Sequence, residues 1–267
     1  MLFLRADMSQ ADSRVVYVLS HNEELIKLAR TQPDQFDVHK FVGSCIFQQP
    51  ESEIKGDKRQ ATKKIAHGTH YDEQEQRMSD SLLKDGYFFT PEECKVGQMR
   101  YLNRFPAIRD GFQFKSRMLV VAGNRRYLEN SWGRRIYFSF ERFDPNLYRR
   151  IYAWRAASEV ADTLNQWGFI PAVQFLDKYD FRSRVNLQVH DEVLSSVTPE
   201  NDECWDLMRV LRDSMERERE YEGVKLTIPI TFALETRYHS EEIEWKKFPD
   251  YSEYKEAIGK LWEQRIK

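Results

Sequence analysis

The stretch "VNLQVHDEVLSSV" narrows the possible folds more than any other. Val185, Leu187 and Val189 alternate with polar residues, the trio His190-Asp191-Glu192 interrupts them, and Val193 and Val197 resume the apolar pattern. Period-two alternation on both sides of a polar break describes a half-buried antiparallel hairpin with the trio at its turn. Two further strand-like runs, "LFLRAD" and "KLTIPITFALET", lie far away in sequence. The intervening periodicity is largely helical, without regular strand–helix–strand repeats, so the chain reads as α+β with an antiparallel sheet.

"LFLRAD" reads as a short buried strand ending at Asp7, with Ser9 and Asp12 opening a helix that buries Val15, Val16 and Leu19. Asp7 therefore sits at a strand-to-helix junction. Helical spacing covers 22–30 and 38–47, separated by "TQPDQFD", and continues over 79–117 with breaks at Pro91 and Pro106. "YLENSWGRRIYF" reads as two strand-like runs around a Trp-Gly turn, followed by helical spacing over 149–167. A helix over 202–221 precedes the last strand. The tail carries Tyr254, Ala257, Ile258, Leu261, Trp262 and Ile266 as an amphipathic stripe.

With 267 residues, 41% of them apolar, the chain can bury one large core or two small ones. No run of about 18 apolar residues occurs, and Arg5 and Asp7 interrupt the place where a secretory signal needs its apolar centre, so a cytoplasmic protein is expected. Cys45, Cys94 and Cys204 lack the spacing of a zinc site or a disulfide framework. The net charge of −2 conceals basic clusters at 55–64, 117–135 and 149–155, set against acidic ones at 72–93 and 200–220. One face basic and another acidic is the expectation.

In "RQATKKIAHGTHY", Arg59, Lys63, His67 and Tyr71 stand four residues apart. On a helix, that spacing drifts by only about 40° per step, giving one gently spiralling face that is cationic and then aromatic. Such a face suits a phosphate chain at one end and a flat base at the other. Taken alone, a solvated basic face is the plainer reading. Asp191 and Glu192 at a hairpin tip and Asp7 at a strand end offer the hard oxygen ligands that divalent cations take. Taken singly, these too are most often a surface turn and an N-cap.

The order of these elements is more specific. "DMSQADSR", "RQATKKIAHGTHY" and "QVHDEVL" resemble, in sequence order, the three polymerase motifs of family A DNA polymerases, the polymerase I type. "DVHKF" resembles the segment before the nucleotide-binding helix, "GRRIYF" the family's Gly-Arg-Arg turn, and "LTIPITFALE" the closing strand. The resemblance runs over roughly residues 2–245. It implies a palm with an antiparallel sheet (1–20 and 149–250), helical fingers (21–148) and a C-terminal tail (251–267).

By that resemblance, Asp7, Asp191 and the backbone carbonyl of Met8 hold two Mg²⁺ ions, with Mn²⁺ as a substitute. Asp7, Asp191 and Glu192 form the catalytic set. Arg59 and Lys63 grip a deoxynucleoside triphosphate, His67 and Tyr71 lie against the nucleotide, and Gln10, Asp12 and His39 complete its site, with Arg14 as a helper. His190 and Arg149 hold the primer-template DNA. The implied activity is template-directed DNA synthesis by a two-metal mechanism.

Several positions depart from the family pattern. Met8 replaces an aromatic residue, which a carbonyl ligand tolerates. Asp12 replaces the usual Glu that gates the ribose 2′-hydroxyl, so sugar selection is expected to change. His67 replaces Phe or Tyr, Asp72 replaces Gly, and Ala153 and Ala157 stand where Asn and Gln are usual. Family members place a thumb, and often an exonuclease domain, before the first motif, whereas six residues precede Asp7 here. Two explanations fit that difference: the C-terminal half of a split polymerase of phage type, acting in the host cytoplasm with a separate thumb-bearing chain that the tail helix around Trp262 helps to dock, or a fragment of a longer polymerase whose tail stripe simply packs on the palm. Two other readings compete: a polymerase-like accessory or scaffold that binds DNA or a replication partner, and a single-subunit RNA polymerase. The second ranks last because those enzymes resemble His-Asp-Ser, not His-Asp-Glu, at the hairpin.

Overall fold

The computed structural model describes residues 1–32, 37–122, 125–198, 200–237 and 242–266. Strand β1 (Leu2–Met8) leads into α1 (Ala11–Leu19) and α2 (Glu23–Ala29). Helices α3 (Val38–Phe47), α4 (Gly56–His70), α5 (Glu75–Lys84) and α6 (Pro91–Arg104) then pack on one another. A π-helical turn (Ile108–Gln113) runs into α7 (Phe114–Val121), and β2 (Tyr127–Glu129) pairs with β3 (Arg135–Tyr137). Helix α8 (Pro145–Thr163) passes through a second π-helical turn (Leu164–Phe169) into α9 (Ile170–Lys178). The remaining elements are β4 (Arg184–Val189), β5 (Glu192–Val197), α10 (Glu203–Met215), β6 (Arg219–Tyr221), β7 (Val224–Leu226), β8 (Ile230–Glu235), β9 (Glu242–Trp245) and α11 (Tyr251–Ile266).

The main sheet is antiparallel throughout, in the order β4-β5-β1-β8-β9. Alternation decides its two faces. Leu2, Leu4, Ala6 and Met8 are fully buried, and α10 packs on β1 and β8 through a helix that buries Leu207, Met208 and Leu211. Phe3, Arg5 and Asp7 take the opposite face. The hairpin read around His190 is present: β4 and β5 close through the two-residue turn His190-Asp191, with Val189 opposite Glu192 and His190 at φ 55°.

Local signals set most helix starts. Asn22, Asp37 and Asp144 accept backbone N–H bonds as N-caps, and Thr90 and Glu93 form a reciprocal capping box ahead of Pro91. The start of α1 differs from expectation. Neither Ser9 nor Asp12 caps it; Gln10, in a left-handed conformation, turns the chain from strand to helix. The helix expected over 202–221 ends at Met215, and Arg219–Leu226 forms the small β6–β7 hairpin, turned by Glu222 and Gly223 at positive φ. The late strand is likewise broken, because Pro229 has no N–H to give a ladder, leaving β7 and β8 in different sheets. Pro33 within "TQPDQFD" lies outside the described residues.

The tail stripe is used within the chain. Tyr254, Ala257, Ile258 and Leu261 are buried, α11 packs on β8, and Trp205 meets the rings of Phe248, Tyr251 and Tyr254 at 5.0–5.2 Å. Trp262 is half-buried against the same core.

Candidate active site

Antiparallel pairing puts Asp7 directly opposite Glu192, and the Met8 N–H donates to the Asp191 carbonyl at 2.9 Å. Three carboxylates from sequence-distant strands thus meet at one end of the sheet. Burial first, then the charges of Asp191 and Glu192, push Asp7 up to about 7 against opposition from Lys63 and Arg5. Burial also raises Asp191, with Asp12 adding to the shift while its own backbone N–H, Lys63 and His190 oppose it. The Met8 side chain is fully buried, so only its backbone borders this place.

Helix α4 presents the expected stripe. Ala61, Thr62, Ile65 and Ala66 face the core, while Arg59 is half-buried and Lys63 and His67 are exposed. Tyr71 is the C-cap. Burial works against the Asp37 carboxylate, but the Arg59 guanidinium, which donates to it at 2.9 Å, acts through both that bond and its charge, and together with the Lys40 backbone N–H holds Asp37 below its usual range. Beside them His39 is buried, and burial followed by the charge of Arg59 lowers it to about 4, so it stays neutral at physiological pH.

His67 Nε2 lies 3.3 Å from the Asp12 carboxylate, and its ring meets Tyr71 edge-on at 4.8 Å. The Tyr71 hydroxyl is buried beside Asp12, and burial, followed by its interaction with the Asp12 carboxylate, raises it well above its ordinary value. Gln10 Oε1 is buried without a partner. Arg149 donates to the Asp72 carbonyl at 2.7 Å, tying α8 to the turn after Tyr71. His190 is exposed at the hairpin tip.

Arg14 is not at this surface. It is fully buried and donates to the carbonyls of Ser9, Ala29 and Thr31, so its charge satisfies backbone between α1 and α2 and cannot help bind a nucleotide. Two residues escaped the sequence reading. Arg5 reaches Glu192 at 3.0 Å and also pairs with Glu235 and Glu242; its position two residues before Asp7 in a strand was the available signal. Asp37, the partner of Arg59, carried the helix-capping signature just before "VHKF".

The comparisons accord with this architecture. The family model described as DNA polymerase family A matches residues 1–239, and the chain belongs to that family. DNA polymerase I of Mycobacterium tuberculosis (strain H37Rv) is 30% identical over 202 residues, covering 73% of this chain and 21% of its own length. DNA polymerase I of Borreliella burgdorferi is 28% identical over 246 residues, 88% of this chain and 24% of its own. The DNA polymerase of Bacillus phage SP01 is 25% identical over 227 residues, 82% of this chain and 23% of its own. The chain therefore spans about a fifth to a quarter of these relatives. The polymerase domain of Pol1 from M. smegmatis, solved with a DNA primer-template and dNTP, shares the fold at TM-score 0.71 and 23% identity, over 89% of this chain and 40% of that one. Among the described residues no helix is long and apolar enough to cross a membrane.

Proposed function

We propose that the chain forms the palm and fingers portion of a template-directed DNA polymerase, which transfers deoxynucleotides to a primer 3′-hydroxyl. The observation that carries this reading is the convergence of Asp7, Asp191 and Lys63, from β1, the β4–β5 turn and α4, within electrostatic reach of one another. Residues 1–20 and 149–250 would be the palm, 21–148 the fingers and 251–267 the tail. A sheet that draws strands from both ends of the chain around a helical middle supports this division.

The donor chemistry fits a hard divalent cation. Burial and repulsion leave Asp7 and Asp191 in want of positive charge. Among the described residues no three His, Cys, Asp or Glu side chains assemble as a metal cage. The pair Asp7 and Asp191 matches Mg²⁺, which is commonly bound by one or two carboxylates and substrate phosphates. Held by Asp7, Asp191 and the Met8 carbonyl, two Mg²⁺ ions, or Mn²⁺ in their place, would supply activation of the 3′-hydroxyl and neutralisation of the leaving pyrophosphate.

Arg59 and Lys63 would grip the triphosphate through charge-assisted hydrogen bonds, with Asp37 holding the Arg59 fork in place. Neutral His39 would line that end without adding positive charge. The rings of His67 and Tyr71 would lie against the nucleotide, and Asp12 and Gln10 would face its sugar, the buried Gln10 oxygen accepting a donor. Glu192 and His190 would hold the primer end, and Arg149 the template side of the turn after Tyr71.

Primer extension tests the reading, with Mg²⁺, either deoxy- or ribonucleotides, and the chain alone or mixed with a separate thumb-bearing polypeptide. Extension that disappears in Asp191→Ala is expected. DNA binding without extension under every condition would refute it.

A further inference from the structure

The β2–β3 hairpin and the segment after it carry a surface that the catalytic reading leaves unused. Tyr137 is 60% exposed and Phe140 fully so, and neither ring is needed by the core. Guanidinium groups interleave with the rings. Arg125 and Arg135 lie over Tyr127 at 4.2 and 5.3 Å, Tyr127 meets Tyr137 at 5.6 Å, and Arg126 covers Phe143 at 4.0 Å. Residues 125–143 hold five arginines against two glutamates.

One exposed ring needs no explanation. Rings alternating with guanidinium groups under a local excess of positive charge are a different matter, since flat faces accept unstacked bases while the cations follow phosphates. A duplex would engage the arginines and leave the rings idle, because its bases are already stacked. An apolar protein partner would gain nothing from the charge excess. The surface also adjoins the candidate site. Arg150 pairs with Glu141 and lies 5.8 Å from the Phe138 ring, while the preceding residue, Arg149, bonds the carbonyl that follows Tyr71. A cleft of ≈ 360 Å³, lined by Thr69, Gln98 and Arg149, opens at that point.

We propose that this hairpin surface binds single-stranded DNA and, resting on the polymerase reading above, that the strand is the unpaired template approaching the site. Fluorescence anisotropy with a labelled oligothymidylate tests the first part. The double variant Tyr137→Ala/Phe140→Ala is expected to lose about ten-fold or more in affinity. Arg125→Ala and Arg135→Ala should each reduce the slope of log affinity against log salt by about 0.7. All four positions are at the surface or half-buried, so an unchanged melting temperature serves as the folding control. Wild-type affinity and slope in these variants would overturn the proposal, as would an equal loss of affinity for blunt duplex.

Extension assays separate this surface from the catalytic reading. The double variant is expected to slow extension on templates with long single-stranded overhangs and to leave one-nucleotide overhangs unaffected. If oligothymidylate binding falls as expected but wild-type protein extends nothing, the polymerase reading fails and the surface stands. Normal wild-type extension with unaltered oligothymidylate binding in the variants would remove the surface alone.

Discussion

Replacing Asp7 with asparagine keeps the size of the side chain and removes the charge that the fold resists. Asp7 ionises only near pH 7, against 3.8 for the ordinary group, because of burial and the charges of Asp191 and Glu192. One pH unit of displacement corresponds to about 1.4 kcal/mol, so holding Asp7 ionised at pH 8 costs the folded chain up to about 4 kcal/mol. About 2 kcal/mol is expected once water entering the partly open site is included. Folded Asp7 keeps its proton up to about pH 7, whereas the unfolded chain releases it near its ordinary value. Wild-type stability therefore falls as pH rises through that window, and the asparagine variant lacks this decline. The assay is thermal and urea unfolding of both proteins from pH 4.5 to 8.5 without divalent metal. Asp7→Asn should be the more stable at pH 8, by roughly 4–8 °C in Tm, with the gap narrowing as pH falls. Saturating Mg²⁺ should then raise the wild-type Tm and leave that of the variant nearly unchanged. A variant less stable than wild type at pH 8, or a gap indifferent to pH, would refute the electrostatic reasoning.

Lys63→Ala should raise KM for the incoming triphosphate by about ten-fold or more, as expected for a lost charge-assisted bond. It should also move the acid limb of the pH–rate profile upward, because Lys63 opposes the raised ionisation of both Asp7 and Asp191. Arg5→Leu leaves Glu192, Glu235 and Glu242 without their shared guanidinium. A loss of about 3–5 kcal/mol in urea unfolding is expected, partly recovered when Glu235→Gln is added. Gly111→Ala drives a methyl group into the Ser20 carbonyl oxygen, so overpacking of about 1–3 kcal/mol should appear as a lower Tm.

The helix face and the hairpin turn of the site were legible because they depend on short-range periodicity, whereas the roles of their residues came from the resemblance to family A polymerases. The four-residue spacing from Arg59 to Tyr71 fixes a shared helix face whatever α4 packs against, and the alternation around His190 fixes a hairpin turn. Partnerships across the sheet were less accessible. Nothing near Arg5 announces that Glu235 and Glu242 will flank it, because their meeting requires β8 and β9 to follow β1 in the sheet. Arg14 misled for a related reason: a cation near Asp7 suggests a ligand, yet three backbone carbonyls claim it. The β6–β7 hairpin was hidden by charged residues that suit a helix surface equally well, with Gly223 as the local hint of a turn.

The central position of β1 also has a consequence for biogenesis. Its ladder partners on both sides are β5 and β8, the nearer beginning at Glu192. At a synthesis rate of about 5–20 residues per second, the apolar face of "LFLRADM" waits on the order of 10–40 s after leaving the ribosome before either neighbour exists. During that interval both of its edges are open to pairing with other nascent chains. Arg5 and Asp7, placed on alternate positions of the same strand, put charge where such pairing would otherwise be easiest.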